Sequence, residues 1–153
     1  MDSLEPVLAK HPFLEGLSED QLALLVGCAS QVRFSPGEFL FHMGEDADEF
    51  YLLRHGKVAL ELFTSERGAI TVMTVADGEA AGWSWIVPPY KWELDGRAVA
   101  PTLALRFDAA CLRGKCERDH EFGYQMYKRF APVIAKRLQA TRLQVLDVHR
   151  AYA

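Results

Sequence analysis

The residues of this chain best suited to holding another molecule lie between Asp77 and Ala100, in the stretch DGEAAGWSWIVPPYKWELDGRAVA. All three tryptophans, Trp83, Trp85 and Trp92, fall within it, together with Tyr90 and the Pro88-Pro89 pair. Indoles combine a large apolar face with one N–H that seeks a partner when buried. Gly78 and Gly82 allow tight turns and close approach of the backbone to a bound group. Ser84 stands where a short helical turn can begin, and free backbone N–H groups at such a turn favour an anion. The stretch reads either as a pocket for a small ligand, phosphorylated ones included, or as a hydrophobic loop that packs its aromatics inward.

Other reactive constellations are sparse. The His-x-His pair of cupin-type metal enzymes is absent, and His42 stands alone on a strand pattern. Cys111, Cys116 and His120 are near one another, but zinc needs about four ligands and no fourth is at hand. An iron–sulfur cluster of the four-cysteine kind is excluded by a total of three cysteines. Neither a Gly-x-Ser-x-Gly elbow nor a P-loop occurs. The expectation is a protein that is not an enzyme and holds no metal or cofactor.

The elements that must position the aromatic stretch follow from length and pattern. A chain of 153 residues, half of them hydrophobic, fits one domain with a substantial core. Its net charge of −4 argues against a dedicated nucleic-acid surface, and no apolar run approaches the roughly 20 residues of a membrane span. The start MDSLEPVLAKHPF lacks a basic segment followed by an apolar core, so no secretory signal is read. Three scattered cysteines suit a reducing cytoplasm better than a disulfide framework.

Ser18 with Gln21 forms a capping-box pattern, and Leu22, Leu25, Val26 and Ala29 give one apolar stripe, predicting a helix over 18 to about 29. From residue 31 the period shortens. Val32 and Phe34, Phe39 and Phe41, Phe50 to Leu53, Val58 to Phe63, Ile70 to Val75, Arg97 to Ala100 and Leu103 to Phe107 read as strands separated by glycine turns. Such spacing indicates a sandwich, jelly roll or barrel. Asp108 can cap a short helix through Leu112. A long helix follows, to about Val148, with a kink expected at Pro132. Tyr127, Ala131, Ile134, Leu138, Thr141, Val145 and Val148 alternate four and three apart, a coiled-coil seam. A second stripe, Phe130, Val133, Arg137 and Leu143, could face the strands. The seam, centred on Ile134, Leu138, Thr141, Val145 and Val148, is read as the interface of a homodimer.

The order of parts resembles the cyclic nucleotide-binding domain family, which includes the sensor domains of Crp/Fnr-type bacterial regulators and the regulatory subunits of cyclic-AMP-dependent kinases. The likeness runs from about His11 to Val148. It rests most on Pro36-Gly37-Glu38, Gly44-Glu45, Phe50-Tyr51-Leu52-Leu53 and Gly56-Lys57-Val58 in that order and spacing. It implies a mainly β domain with flanking helices: helices in 1–30, an eight-stranded, jelly-roll-like β-roll in 31–108 with a ligand cassette at 77–100, and terminal helices in 109–150. It also implies a cyclic nucleotide such as cyclic AMP, held between the roll and the long helix.

In the family the cassette begins Gly-Glu, the Glu accepting from the ribose hydroxyl, and ends with an Arg that pairs with the cyclic phosphate. Here Gly82 matches the glycine, but Trp83 stands at the Glu position and the Arg position falls near Leu94. Two charge-assisted hydrogen bonds of about 1.5–3 kcal/mol each correspond to roughly two to four powers of ten in affinity. Lys91 or Arg97 could restore the positive charge, Ser84 a hydroxyl, and amides after Gly82 an anion nest. Trp83 and Trp85 could stack on a purine or fill the nucleotide's space. The site residues read in this way are Gly82, Trp83, Ser84, Trp85, Lys91 and Arg97, with their rings and amides lining a cavity beneath the final helix. The DNA-binding activity of some family members needs a helix-turn-helix module after the long helix, and no such segment is read in this sequence. The resulting expectation is a stand-alone cytoplasmic sensor; the competing one is a roll without nucleotide affinity that acts as a dimeric interaction module.

Overall fold

A computed structural model describes residues 3–152, with side chains through residue 146. The chain opens with α1 (Glu5–Ala9), a 3-10 turn (Pro12–Leu14) and α2 (Glu19–Val26). The capping box is present as read: Ser18 Oγ accepts from the Gln21 N–H and Gln21 Oε1 from the Ser18 N–H. The strands are β1 (Ala29–Phe34), β2 (Phe39–Phe41), β3 (Glu49–His55), β4 (Val58–Thr64), β5 (Gly68–Val75), β6 (Ala80–Ala81), β7 (Asp95–Ala98) and β8 (Thr102–Asp108). The chain ends with α3 (Ala109–Arg118) and α4 (His120–Tyr152).

The strands form two four-stranded sheets, ordered β1-β8-β3-β6 and β2-β7-β4-β5, with antiparallel pairing throughout. This is the expected mainly β roll with flanking helices. β7 lies two residues earlier than its pattern placed it, because Val99 and Ala100 belong to the turn before Pro101. Asp108 caps α3 by accepting from the Cys111 N–H at 2.8 Å, but the helix continues past Leu112 to Arg118. α4 runs through Pro132 as one helix.

The core lies between the inner faces of the sheets and under α4. Phe50 on β3 stacks on Phe107 of β8 at 4.7 Å and meets Phe130 of α4 edge-on at 5.4 Å. Of the second predicted helix stripe, Phe130 and Arg137 turn inward and are buried, whereas Leu143 is exposed at 58%. Gln144 instead reaches β5, donating to the Thr71 carbonyl at 3.1 Å. On the seam side Ile134 is half-buried, and Leu138, Thr141 and Val145 are exposed; Val148 lies outside the described side chains.

The cysteine expectation is corrected. Cys28, just after α2, and Cys111, in the first turn of α3, form a disulfide across 83 residues of sequence. Spacing alone hid the pair because the β-roll folds back and brings these distant helix ends together. Cys116 is the free thiol. Among the described residues no helix is long and apolar enough to cross a membrane, and no group of three or more His, Cys, Asp or Glu side chains is placed to hold a metal.

Candidate functional site

The cassette connects β6 to β7 and folds as a turn under α4. Gly82 leaves β6 with φ of 97°, a left-handed conformation in which a side chain would be strained. The Ile86 N–H donates to the Trp83 carbonyl at 3.1 Å, closing the turn that Ser84 was expected to begin. The adjoining Pro88-Pro89 bond is cis, and Tyr90 has φ of 57°.

Its inner face is solid. A Cβ on Gly82 would stand 2.4 Å from the Trp92 ring, so that indole lies directly on the glycine backbone. Trp92 stacks on Phe41 at 3.7 Å, and a Cβ on Gly96 would come within 2.6 Å of the Phe41 ring. Two aromatic rings are thus sandwiched between two glycines, a packing that explains a glycine inside strand β7. Trp85 is fully buried, stacked on Phe50 at 4.3 Å and edge-on to Phe130 at 5.2 Å. The Trp85 and Trp92 rings are therefore packed into the core beside the roll and do not surround a cavity beneath the final helix as expected. Leu94, at the position where the family places its Arg, is buried as well.

The outer face is polar and tied to the helices. Arg113 of α3 donates from Nη1 to the Trp85 carbonyl at 2.7 Å and lies over the Tyr90 ring at 4.3 Å. The Tyr127 hydroxyl of α4 donates to the Ile86 carbonyl at 3.2 Å. Arg137 of α4 lies over the Trp83 ring at 5.2 Å and donates to Glu93 at 3.2 Å. Burial lowers the Arg137 pKa from its ordinary value, and the Glu93 carboxylate acts against that shift.

The two basic residues read as phosphate partners are already engaged. Arg97 donates from Nε and Nη2 to the two carboxylate oxygens of Glu61 on β4, at 2.8 and 2.9 Å. That bond holds the Glu61 carboxyl below its usual range and raises the guanidinium. Lys91 pairs with Asp46 in the open, beside the single bridge between those residues. The structure thus brings Gly82, Trp83, Ser84 and Trp85 together and directs Lys91 and Arg97 to carboxylates elsewhere. Trp83 Nε1, Ser84 Oγ and Trp85 Nε1 are buried without a protein hydrogen-bond partner. Groups of this kind are ordinarily satisfied, and here they occupy consecutive positions.

The sequence reading missed Arg113 and Tyr127 as cassette contacts. Nothing local marks Arg113. Arg137 did carry a signal, being a charged residue within the apolar stripe of Phe130 and Val133.

A β-roll with a glycine-led cassette clasped by a long terminal helix is the architecture of a regulatory domain of the cyclic nucleotide-binding kind. The chain belongs to the cyclic nucleotide-binding domain family, whose model matches residues 31–119. Domains of this family are regulatory and non-enzymatic. The structure is similar to a putative cyclic nucleotide-binding protein from Geobacter metallireducens (TM-score 0.77, 25% identity, covering 90% of this chain and 99% of that one). It also shares its fold with the sensor domain of the transcriptional regulator DNR from Pseudomonas aeruginosa (TM-score 0.68, 19% identity, covering 87% and 94%). Among curated proteins it is similar to Glutaminase 1 of Bradyrhizobium diazoefficiens, 36% identical over 74 residues; these are 48% of this chain and 12% of that protein's length.

Proposed function

We propose that the chain is a small-ligand sensor whose cassette reports occupancy through α4. One observation carries the reading: the cassette backbone and rings are tied to the terminal helices by Arg113, Tyr127, Phe130 and Arg137. A ligand that moves Trp83 or Trp85 must shift those contacts, and differential binding to two positions of the cassette is what couples a site to a helix. The consecutive unpartnered donors supply the polar groups such a ligand would meet. A cyclic nucleotide such as cyclic AMP is the family's ligand class. With Trp83 and Leu94 at the Glu and Arg positions, its affinity is expected to fall by roughly two to four powers of ten.

A second reading is favoured by the sandwich of Trp92 and Phe41 between Gly82 and Gly96. In it the cassette is permanently closed by its own rings, and the domain works as an interaction module. Intrinsic fluorescence separates the two, because all three tryptophans are in the cassette. The sensor reading expects cyclic AMP, cyclic GMP or a cyclic dinucleotide to change the emission and raise Tm; a ligand at about 100 times its Kd stabilises by about 2.7 kcal/mol. No change in either signal at millimolar ligand removes the sensor reading for these ligands.

A homodimer and a cytoplasmic setting belong to the same proposal. Leu138 and Val145 expose 61% and 51% of their surface on the seam side of α4, a row that a second helix would cover. Leu138→Glu is expected to give a monomer by sedimentation; an unchanged mass defeats the seam assignment. In a reducing cytoplasm Cys28 and Cys111 would be held as thiols, and the bond between them would form only on oxidation.

A further inference from the structure

Between the outer face of the cassette and the α3–α4 corner lies an open cleft of about 290 Å³, walled by Tyr90, Tyr124 and Tyr127, bordered beneath by the buried Trp85 and carrying Arg113 and Glu117. It is separate from the cassette interior and stands or falls independently of the reading above. Its volume is near the lower end for small-molecule sites, the size for a molecule of one or two rings. Tyr124 and Tyr127 remain 58% and 52% exposed.

The charges are arranged unusually. Arg113 is immobilised by the Trp85 carbonyl and by the Tyr90 ring, yet among the described residues no carboxylate pairs with it. Glu117, one helical turn further along α3, has no cationic partner either. Opposite charges at this spacing lie on one helix face and commonly pair. Here the guanidinium is turned to the cassette instead, so both charges border the cleft unpaired. Cys116 also borders it, but its thiol is pushed up to about 11, by burial first and then by Glu117 and Asp119, and stays protonated. Covalent capture is therefore not the chemistry on offer.

We propose that this cleft binds a small aromatic amino acid, its carboxylate on Arg113, its ammonium on Glu117 and its ring among the tyrosines. An α-amino acid carries both charges within a few ångströms, so one molecule completes the broken pair. Tyrosine rings accept a planar apolar group by stacking or edge contact. Because Arg113 and Tyr127 also hold the Trp85 and Ile86 carbonyls, an occupant would press on the cassette from outside.

The test is calorimetry, with intrinsic tryptophan emission alongside, using L-phenylalanine, 3-phenylpropionate, phenethylamine and L-leucine. Phenylalanine should bind, and loss of either charge from the ligand should weaken it by about tenfold to a hundredfold. Arg113→Gln should reduce phenylalanine to the affinity of phenethylamine while leaving phenethylamine unchanged. Glu117→Gln, at a carboxylate with no ion pair among the described residues, should reduce it to that of 3-phenylpropionate; it keeps the test decisive should the Arg113 variant fold poorly. Repeating the titrations on the Leu138→Glu chain keeps closure of the cleft by a second copy from passing for a weak site. No heat and no emission change with 10 mM phenylalanine (about the concentration that would saturate a millimolar site) overturns the proposal. So does equal affinity for leucine, or a loss common to all ligands in both variants.

Discussion

The two faces of the cassette are built from opposite chemistry. Inward, Trp92, Phe41, Trp85 and Phe50 stack without polar partners between glycines and sheet. Outward, the same short segment presents carbonyls to Arg113 and Tyr127 and leaves a cleft against the helices. Dispersion and burial fix the inner face, and such close packing changes in steps rather than smoothly. A few directional bonds of about 0.5–3 kcal/mol each fix the outer one. The difference teaches where movement is affordable: the outer bonds can exchange for ligand contacts at little net cost, whereas the inner stack must be kept or abandoned whole.

The largest expected effect breaks the inner face. Trp85→Ala removes a fully buried indole in contact with Phe50 and Phe130, and should cost about 3–5 kcal/mol in chemical denaturation. A loss under 1 kcal/mol would show that the stack is not the cassette's anchor. Next comes the disulfide, which braces α3, the helix that carries Arg113. Closing a loop of 83 residues contributes about 2–4 kcal/mol, so reductant or Cys28→Ser should lower Tm, and reductant should have no further effect on the Cys28→Ser chain. Smaller again, Tyr127→Phe deletes only the hydroxyl that donates to Ile86 and should cost about 0.5–1.5 kcal/mol. If the outer face is the adjustable one, that variant should alter tryptophan emission more than its small stability loss would imply.

This contrast also sets what could be read before the fold was known. The roll was legible because period-two patterns and glycine turns are local: Phe50 to Leu53 and Val58 to Leu60 fall in β3 and β4, and Ser18 with Gln21 caps α2 as its spacing dictates. The cassette was found by its tryptophans and Gly82. Its state was not, since whether Trp92 opens or closes the site depends on Phe41 and Gly96, a strand each away. Arg97 looked available because its partner Glu61 lies across a strand pair, in register opposite Asp95. Arg113, Tyr127 and the Cys28–Cys111 bond act over sequence distances that no spacing rule spans.

The smallest expected effect serves as a control away from the turn that bears the tryptophans. His11 is buried where the 3-10 turn meets β3; its Nδ1 accepts from the Phe13 N–H at 3.2 Å, which leaves Nε2–H to donate to the Leu53 carbonyl at 2.8 Å. That assignment makes the folded ring neutral, and burial, with the Arg54 charge adding to it, lowers its pKa against the opposing Leu53 bond. In the unfolded chain the ring takes up a proton near pH 6.5, so unfolding gains protons below that value and stability must fall. The contribution is complete above about pH 6.5 and declines as pH drops through it, until the folded ring also protonates. Glu61, with its carboxyl held below the usual range, enters only at more acid pH. Urea denaturation should therefore give lower stability at pH 5.5 than at pH 7.5, and His11→Gln should flatten that slope. Native-state tryptophan emission should be the same at both pH values, since His11 bonds to the N-terminal turn and to Leu53, whose carbonyl also accepts from Gly78 ahead of β6, and not to the turn that bears the tryptophans; an emission change that His11→Gln abolishes would mean that the two regions communicate through Leu53 and Gly78 and that the separation of faces is wrong.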